Sequence, residues 1–122
     1  MAMKKIMVVD DSPTERAFMA GFLTKGGYEV VIAESGEAAI ERSRAELPDL
    51  ILMDVVMPGM NGFQATRAIT HQETTKYIPV IICSTKDQDT DRIWGMRQGA
   101  MDYVTKPLDV GALLAMIGAQ CG

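Results

Sequence analysis

The stretch Ile51-Leu52-Met53-Asp54-Val55-Val56-Met57-Pro58-Gly59 limits what this chain can fold into more than any other. It is an apolar run too short for a stable helix, entered through Pro48-Asp49 and broken by Pro58-Gly59, so it reads as a strand buried on both faces. Asp54 sits at its far end. A carboxylate at the edge of a core costs on the order of several kcal/mol unless it pairs with something or binds something.

The other segments supply what it needs. Ile6-Met7-Val8-Val9 is a short apolar strand ending at Asp10-Asp11. Ser12-Pro13-Thr14-Glu15 then opens a helix, with Ser12 as cap, Pro13 in the first turn and Glu15 completing a capping box. Phe18, Phe22, Met19 and Leu23 give it a core-facing side, and Gly26-Gly27 ends it. Tyr28 to Ala33 is a second strand, and Ser35-Gly36-Glu37 opens a helix with Ala39, Ile40, Ser43 and Leu47 along one side, stopped by Pro48. Beyond Pro58-Gly59, Asn61 caps a helix through about Thr70. Pro79 to Cys83 is a fourth strand ending at Ser84-Thr85, followed by a helix from about Gln88 to Gln98 with Ile93 and Met96 turned inward. Met101 to Thr105 is a weak fifth strand running into Lys106-Pro107, and the last helix starts at Asp109 with Val110, Leu113, Leu114 and Ile117 in register.

Strands alternating with helices in this way predict an α/β fold: a doubly wound, five-stranded parallel sheet with right-handed crossovers and strand order 2-1-3-4-5. In such sheets ligands bind outside the carboxyl ends of the strands. Those ends carry Asp10-Asp11, Asp54, Ser84-Thr85 and Lys106, which the topology brings to one crevice.

At 122 residues the chain is expected to form a single domain, 1–122, with no output domain after the final helix. The net charge of −4, with scattered basic residues, argues against nucleic acid as the main partner. Nothing approaches a membrane span, and the apolar run after Met1-Ala2-Met3-Lys4-Lys5 is too short for a signal peptide, so a cytoplasmic location is expected. Cys83 and Cys121 are far apart in the chain and make no disulfide framework.

Carboxylates gathered at one crevice repel, by roughly 4 kcal/mol per close pair at an effective dielectric near 20. A divalent cation relieves this, and all-oxygen donors at an exposed site favour Mg²⁺. A metal beside a carboxylate, with an ammonium and a hydroxyl opposite, is equipment for phosphoryl transfer: Asp54 attacks in line, Lys106 neutralises phosphoryl oxygens and Ser84 donates to the product. No GxxxxGK[ST] loop is present, so a nucleotide donor is not expected.

Val8-Val9-Asp10-Asp11-Ser12, Leu52 to Gly62 and Tyr103-Val104-Thr105-Lys106-Pro107 together resemble the receiver domain of two-component response regulators. The likeness covers essentially the whole chain. It implies a flavodoxin-like receiver fold, a histidine kinase as phosphohistidine donor and Asp54 as acceptor. It further implies Mg²⁺ held by Asp11, Asp54 and the backbone carbonyl of Val56 with Asp10 assisting, a switch pair of Ser84 and Tyr103, and a cis bond between Lys106 and Pro107. Asp10 to Glu15, Gly62 to Arg67, Ser84 to Asp91 and Trp94-Gly95 are similar to the stand-alone receivers of chemotaxis-like systems controlling type IV pili and twitching motility. Val56 and Lys86 depart from the flagellar chemotaxis receivers, which have Asn and Glu there beside the attacking water. A longer-lived phosphorylated state is therefore expected.

The resulting expectation is a phosphorylatable switch, not an enzyme acting on other substrates. Phosphorylation of Asp54 would draw Ser84 in and let Tyr103 rotate inward, changing the affinity of the fourth helix, fifth strand and fifth helix for a downstream protein. A phosphate sink is a further outcome. A receiver that signals unphosphorylated through constitutive contacts is the alternative. A phosphatase with an aspartyl intermediate fits less well, because its acids usually stand two apart. A flavin carrier would need a hydroxyl- and glycine-rich loop after the first strand. Among the blander readings, Asp10-Asp11 can cap a helix, Ser84 can be an ordinary strand-end hydroxyl, Tyr103 can be packing and His71 a solvated surface residue.

Overall fold

The structure, a computed structural model, describes residues 4–121; Met1 to Met3 of the amino-terminal reading and the final Gly122 lie outside the described residues. Strands β1 (Lys5–Val9), β2 (Glu29–Ala33), β3 (Leu50–Met53), β4 (Val80–Ser84) and β5 (Asp102–Thr105) alternate with helices α1 (Pro13–Lys25), α2 (Gly36–Glu46), α3 (Gly62–Thr70), α4 (Asp89–Arg97) and α5 (Val110–Cys121). All strand pairs are parallel, and the sheet order is β2-β1-β3-β4-β5, as expected.

Successive strand side chains point to opposite faces, and each face has its own core. Met7, Val9, Ile51, Met53 and Ile82 pack with Ala39, Phe63, Ala65 and Ile69 from α2 and α3. Ile6, Val8, Leu50, Leu52 and Ile81 pack with Met19 and Leu23 of α1 and Leu113 and Ile117 of α5. Every residue of β3 and β4 is buried, which is why these strands read as unbroken apolar runs without alternation.

Strand ends differ from expectation by a residue for reasons of hydrogen bonding. Pro79 has no N–H and contributes only its carbonyl, accepting from Ile51 at 3.0 Å, so β4 begins at Val80. Four apolar side chains predicted to face inward are exposed. On α1 the buried stripe is Met19 and Leu23, while Phe18 is turned out, its ring edge-on to Phe22. Leu47 lies past α2 as a left-handed cap with φ 44°, its N–H donating to the Ser43 carbonyl, and that geometry carries its side chain to solvent. Ile93 and Met96 of α4 are also exposed, like Trp94, because Gly95 is the one residue of this helix buried against the sheet.

The register decides what lies at the carboxyl edge. Val9 pairs with Met53, so Asp10 and Asp54 emerge side by side from adjacent strands, and the Asp54 N–H donates to the Val9 carbonyl at 2.9 Å. Ser84 pairs with Thr105, and the Lys106 N–H donates to the Ser84 carbonyl at 2.8 Å. The Lys106–Pro107 bond is cis.

Candidate functional site

Asp10 is 1 % exposed and Asp54 7 %, so two carboxylates stand almost out of water at the switch point between β1 and β3. Asp10 is tied at both oxygens: Oδ1 accepts the Ser12 N–H at 3.0 Å, and Oδ2 accepts from Lys106 Nζ at 2.9 Å. Lys106 Nζ also reaches Asp54 Oδ1 at 3.5 Å and lies 3.9 Å from Glu15 Oε2. One ammonium therefore serves three carboxylates from three parts of the chain.

Asp11 is exposed, and Asp10, Asp11 and Asp54 each present an oxygen within 4.8 Å of the others. These donors are hard oxygens with no His or Cys among them, and the Lys106 ammonium balances only part of their charge. Such a set fits a hard divalent cation of the Mg²⁺ type. Val56, whose carbonyl the resemblance adds to the ligands, lies in the loop just beyond Asp54, its side chain exposed.

The electrostatics follow from burial and from these neighbours. Desolvation, with the Asp10 charge adding to it, raises the Asp54 carboxyl from its ordinary 3.8 to about 6, against the opposing pull of Lys106. Burial alone would lower Lys106, but its hydrogen bond to Asp10 and the charges of Asp54, Asp10 and Glu15 outweigh that and hold the ammonium charged. Cys83, buried beneath the site, is pushed up to about 12 by desolvation and is an inert thiol. Cys83 and Cys121 are both free.

Ser84 and Tyr103 are linked through the backbone of one residue, Lys86. The Lys86 N–H donates to Ser84 Oγ at 3.1 Å, and the Tyr103 hydroxyl donates to the Lys86 carbonyl at 2.7 Å. Tyr103 is 2 % exposed with Arg92 over its ring at 5.8 Å, so its side chain already occupies the inward position that the sequence reading reserved for a signalling movement.

A model of the response regulator receiver domain matches residues 6–118. The chain belongs to the receiver family of response regulators. It is 54 % identical over 117 residues to protein PilH of Pseudomonas aeruginosa, covering 96 % of this chain and 97 % of that protein. Among solved structures, the chemotaxis protein CheY4 of Vibrio cholerae superposes with a TM-score of 0.91 at 31 % identity, covering 98 % of this chain and 99 % of that one. The receiver domain of the sensor histidine kinase PA1611 of Pseudomonas aeruginosa, solved with a magnesium ion coordinated in its active-site cleft, gives a TM-score of 0.89 at 28 % identity and 98 % coverage of both chains. Membership makes this receiver a two-component signalling protein, and none of its described helices is long and apolar enough to cross a membrane.

The structure brings Asp10, Asp11, Asp54 and Lys106 together, with Ser84 and Tyr103 on the adjoining strands β4 and β5. His71 caps α3 away from them, its Nδ1 2.8 Å from the Arg67 carbonyl. Two further residues of the site escaped the sequence reading. Arg16 is mostly buried and donates to the Asp10 backbone carbonyl at 2.8 Å, fixing the loop that presents both aspartates. Glu15, read as half of a capping box, turns to Lys106 instead. The available signal was their place in the first turn of α1, directly after the aspartates.

Proposed function

We propose that this receiver takes a phosphoryl group onto Asp54 from a phosphohistidine of a histidine kinase, in a Mg²⁺-dependent step, and signals through protein contacts that depend on it. The observation that carries this reading is the Lys106 ammonium held at 2.9 Å from Asp10 and 3.5 Å from Asp54, beside a three-carboxylate cluster. In the transfer, an Asp54 carboxylate oxygen bonds to phosphorus as the N–P bond of the donor breaks. The electron pair of that bond stays with the imidazole, which leaves as the neutral ring once protonated on its other nitrogen.

Asp54 is the nucleophile, Lys106 draws charge from the phosphoryl oxygens, and Ser84 donates its hydroxyl proton to the product. Asp11, Asp54 and the Val56 carbonyl would hold Mg²⁺, with Asp10 positioned by Ser12 and Lys106; when bound, the ion supplies charge neutralisation at the phosphoryl oxygens. The relay from Ser84 through the Lys86 backbone to Tyr103 leads to the face of α4, β5 and α5, the surface assigned to a downstream protein.

The resemblance to PilH, with 97 % of that protein spanned, supports a stand-alone receiver acting in type IV pilus function or twitching motility, and a phosphate sink belongs to the same reading. A cytoplasmic location fits a kinase-fed receiver. Incubation with acetyl phosphate, with and without Mg²⁺, followed by intact mass, tests the chemistry: wild type gains one phosphoryl group only with Mg²⁺, and Asp54→Asn gains none. Equal labelling of both proteins would refute it.

One observation favours a second reading. Because Tyr103 is already inward and hydrogen-bonded, the partner-facing surface is formed without a rotation. A constitutive, phosphorylation-independent interaction receiver predicts that Asp54→Ala leaves motility intact, whereas the switch predicts its loss.

A further inference from the structure

Capping boxes are closed at one helix of this fold and left open at another, and the difference frees a carboxylate. At α3, Asn61 and Gln64 exchange both bonds, each at 2.9 Å. At α1, Ser12 and Glu15 have the same spacing, and the Glu15 N–H donates to Ser12 Oγ at 3.3 Å. The return bond is not made, because the Ser12 N–H is already given to Asp10 Oδ1 at 3.0 Å. Glu15 therefore has no capping task for its carboxylate, which lies instead 3.9 Å from Lys106 Nζ. Its side chain is 42 % exposed, against 2 % for Asp10 and 9 % for Asp54, so it is the outermost of the three acids around the ammonium.

We propose that Glu15 is a specificity-determining residue for the phosphoryl donor: a fixed negative charge on the rim of the Asp54 site that slows the approach of dianionic donors and restrains Lys106 from meeting them. This rests on Asp54 being the acceptor. Two effects of the same sign follow. The incoming dianion is repelled by a carboxylate that the acceptor chemistry does not use, and the ammonium that should greet it is shared with that carboxylate. A donor carrying one net negative charge, or one whose own protein surface is basic, meets less of this barrier. If Glu15 served only as an acidic residue in the first turn of α1, its loss would cost a little stability and leave the kinetics unchanged.

Initial rates of phosphorylation, read by intact mass at saturating Mg²⁺ and neutral pH, separate the two. The full chain and its Glu15→Gln and Glu15→Asp variants are each given acetyl phosphate, a dianion, or phosphoramidate, with a single net negative charge. Glu15→Gln is expected to raise the acetyl phosphate rate roughly three- to tenfold at low ionic strength and the phosphoramidate rate by a smaller factor. The gap should close at about 0.5 M salt, where the screening length falls to about 4 Å. Glu15→Asp keeps the charge and should stay near wild type, whose own acetyl phosphate rate should rise with salt. A Glu15→Gln rate unchanged for both donors, or raised equally for both at every salt concentration, would overturn the rim charge while leaving the acceptor assignment standing. A wild type that takes no phosphoryl group on Asp54 would remove both.

Discussion

Asp54 is held where its charge is least comfortable, nearly out of water and beside Asp10, and this has consequences measurable without any phosphoryl donor. Its carboxyl is raised from 3.8 to about 6, so between these pH values the native state keeps a proton that the unfolded chain has released. The contribution of Asp54 to native stability therefore falls as pH rises from about 4 to about 6 and levels off above. In metal-free buffer at pH near 7, Asp54→Asn should be more stable than wild type by roughly 1 to 3 kcal/mol, the difference vanishing toward pH 3. Urea melts across that range check it, and an Asp54→Asn protein less stable than wild type at neutral pH would contradict it. Mg²⁺ should raise the urea midpoint of wild type more than that of Asp54→Asn, since the ion binds the folded cluster. On the other side of the acceptor, the exposed Val56 lines a cavity of 440 Å³ with Lys86 and Trp94 and offers a passing water no polar side-chain atom. The acyl phosphate is accordingly expected to be long-lived, and phosphate release within seconds would count against that.

At the scale of elements, two glycines set how closely helices approach the site. A methyl at Gly62, the first residue of α3, would overlap the Asp54 backbone carbonyl, and backbone cannot yield as a flexible side chain can. Gly62→Ala is expected to cost about 1 to 3 kcal/mol or more in urea melts and to slow labelling of Asp54 by displacing it. Gly95 seats α4, because a Cβ there would stand 2.9 Å from Ile82 Cδ1 and 3.0 Å from Tyr103 Cδ2. This contact also shows where sequence patterning stops. β3 and β4 are legible because both faces are buried and the apolar run is continuous. The acids and Lys106 are legible because they end such runs. In α1, Phe18/Phe22 and Met19/Leu23 are equally good four-residue pairs, so periodicity alone does not choose which pair packs. In α4, a helix docked through a glycine leaves no apolar stripe to read, and Ile93 and Met96 mislead. Glu15 was misread for a different reason: its capping partner's N–H is taken by an aspartate, a competition visible only once the loop is folded.

Across the whole molecule, Ser84, the Lys86 backbone and Tyr103 join the acceptor to the groove between α4 and α5, a cavity of 430 Å³ lined by Arg92, Tyr103, Leu108 and Met116 among others. Tyr103→Phe removes the donor to the Lys86 carbonyl without touching the carboxylates. It should leave the rate of Asp54 phosphorylation within about twofold of wild type while reducing the phosphorylation-dependent change in hydrogen exchange along α4, a coupling of about 1 to 3 kcal/mol in such systems. The account depends on the sheet register that sets Asp10, Asp11 and Asp54 around one point with Lys106 across from them. Its most direct test is to label the protein with acetyl phosphate and Mg²⁺, reduce the acyl phosphate with borohydride, and locate the resulting homoserine by tandem mass spectrometry. The modification is predicted at Asp54 alone and only with Mg²⁺; homoserine at Asp10 or Asp11, or labelling that ignores the metal, would contradict the account.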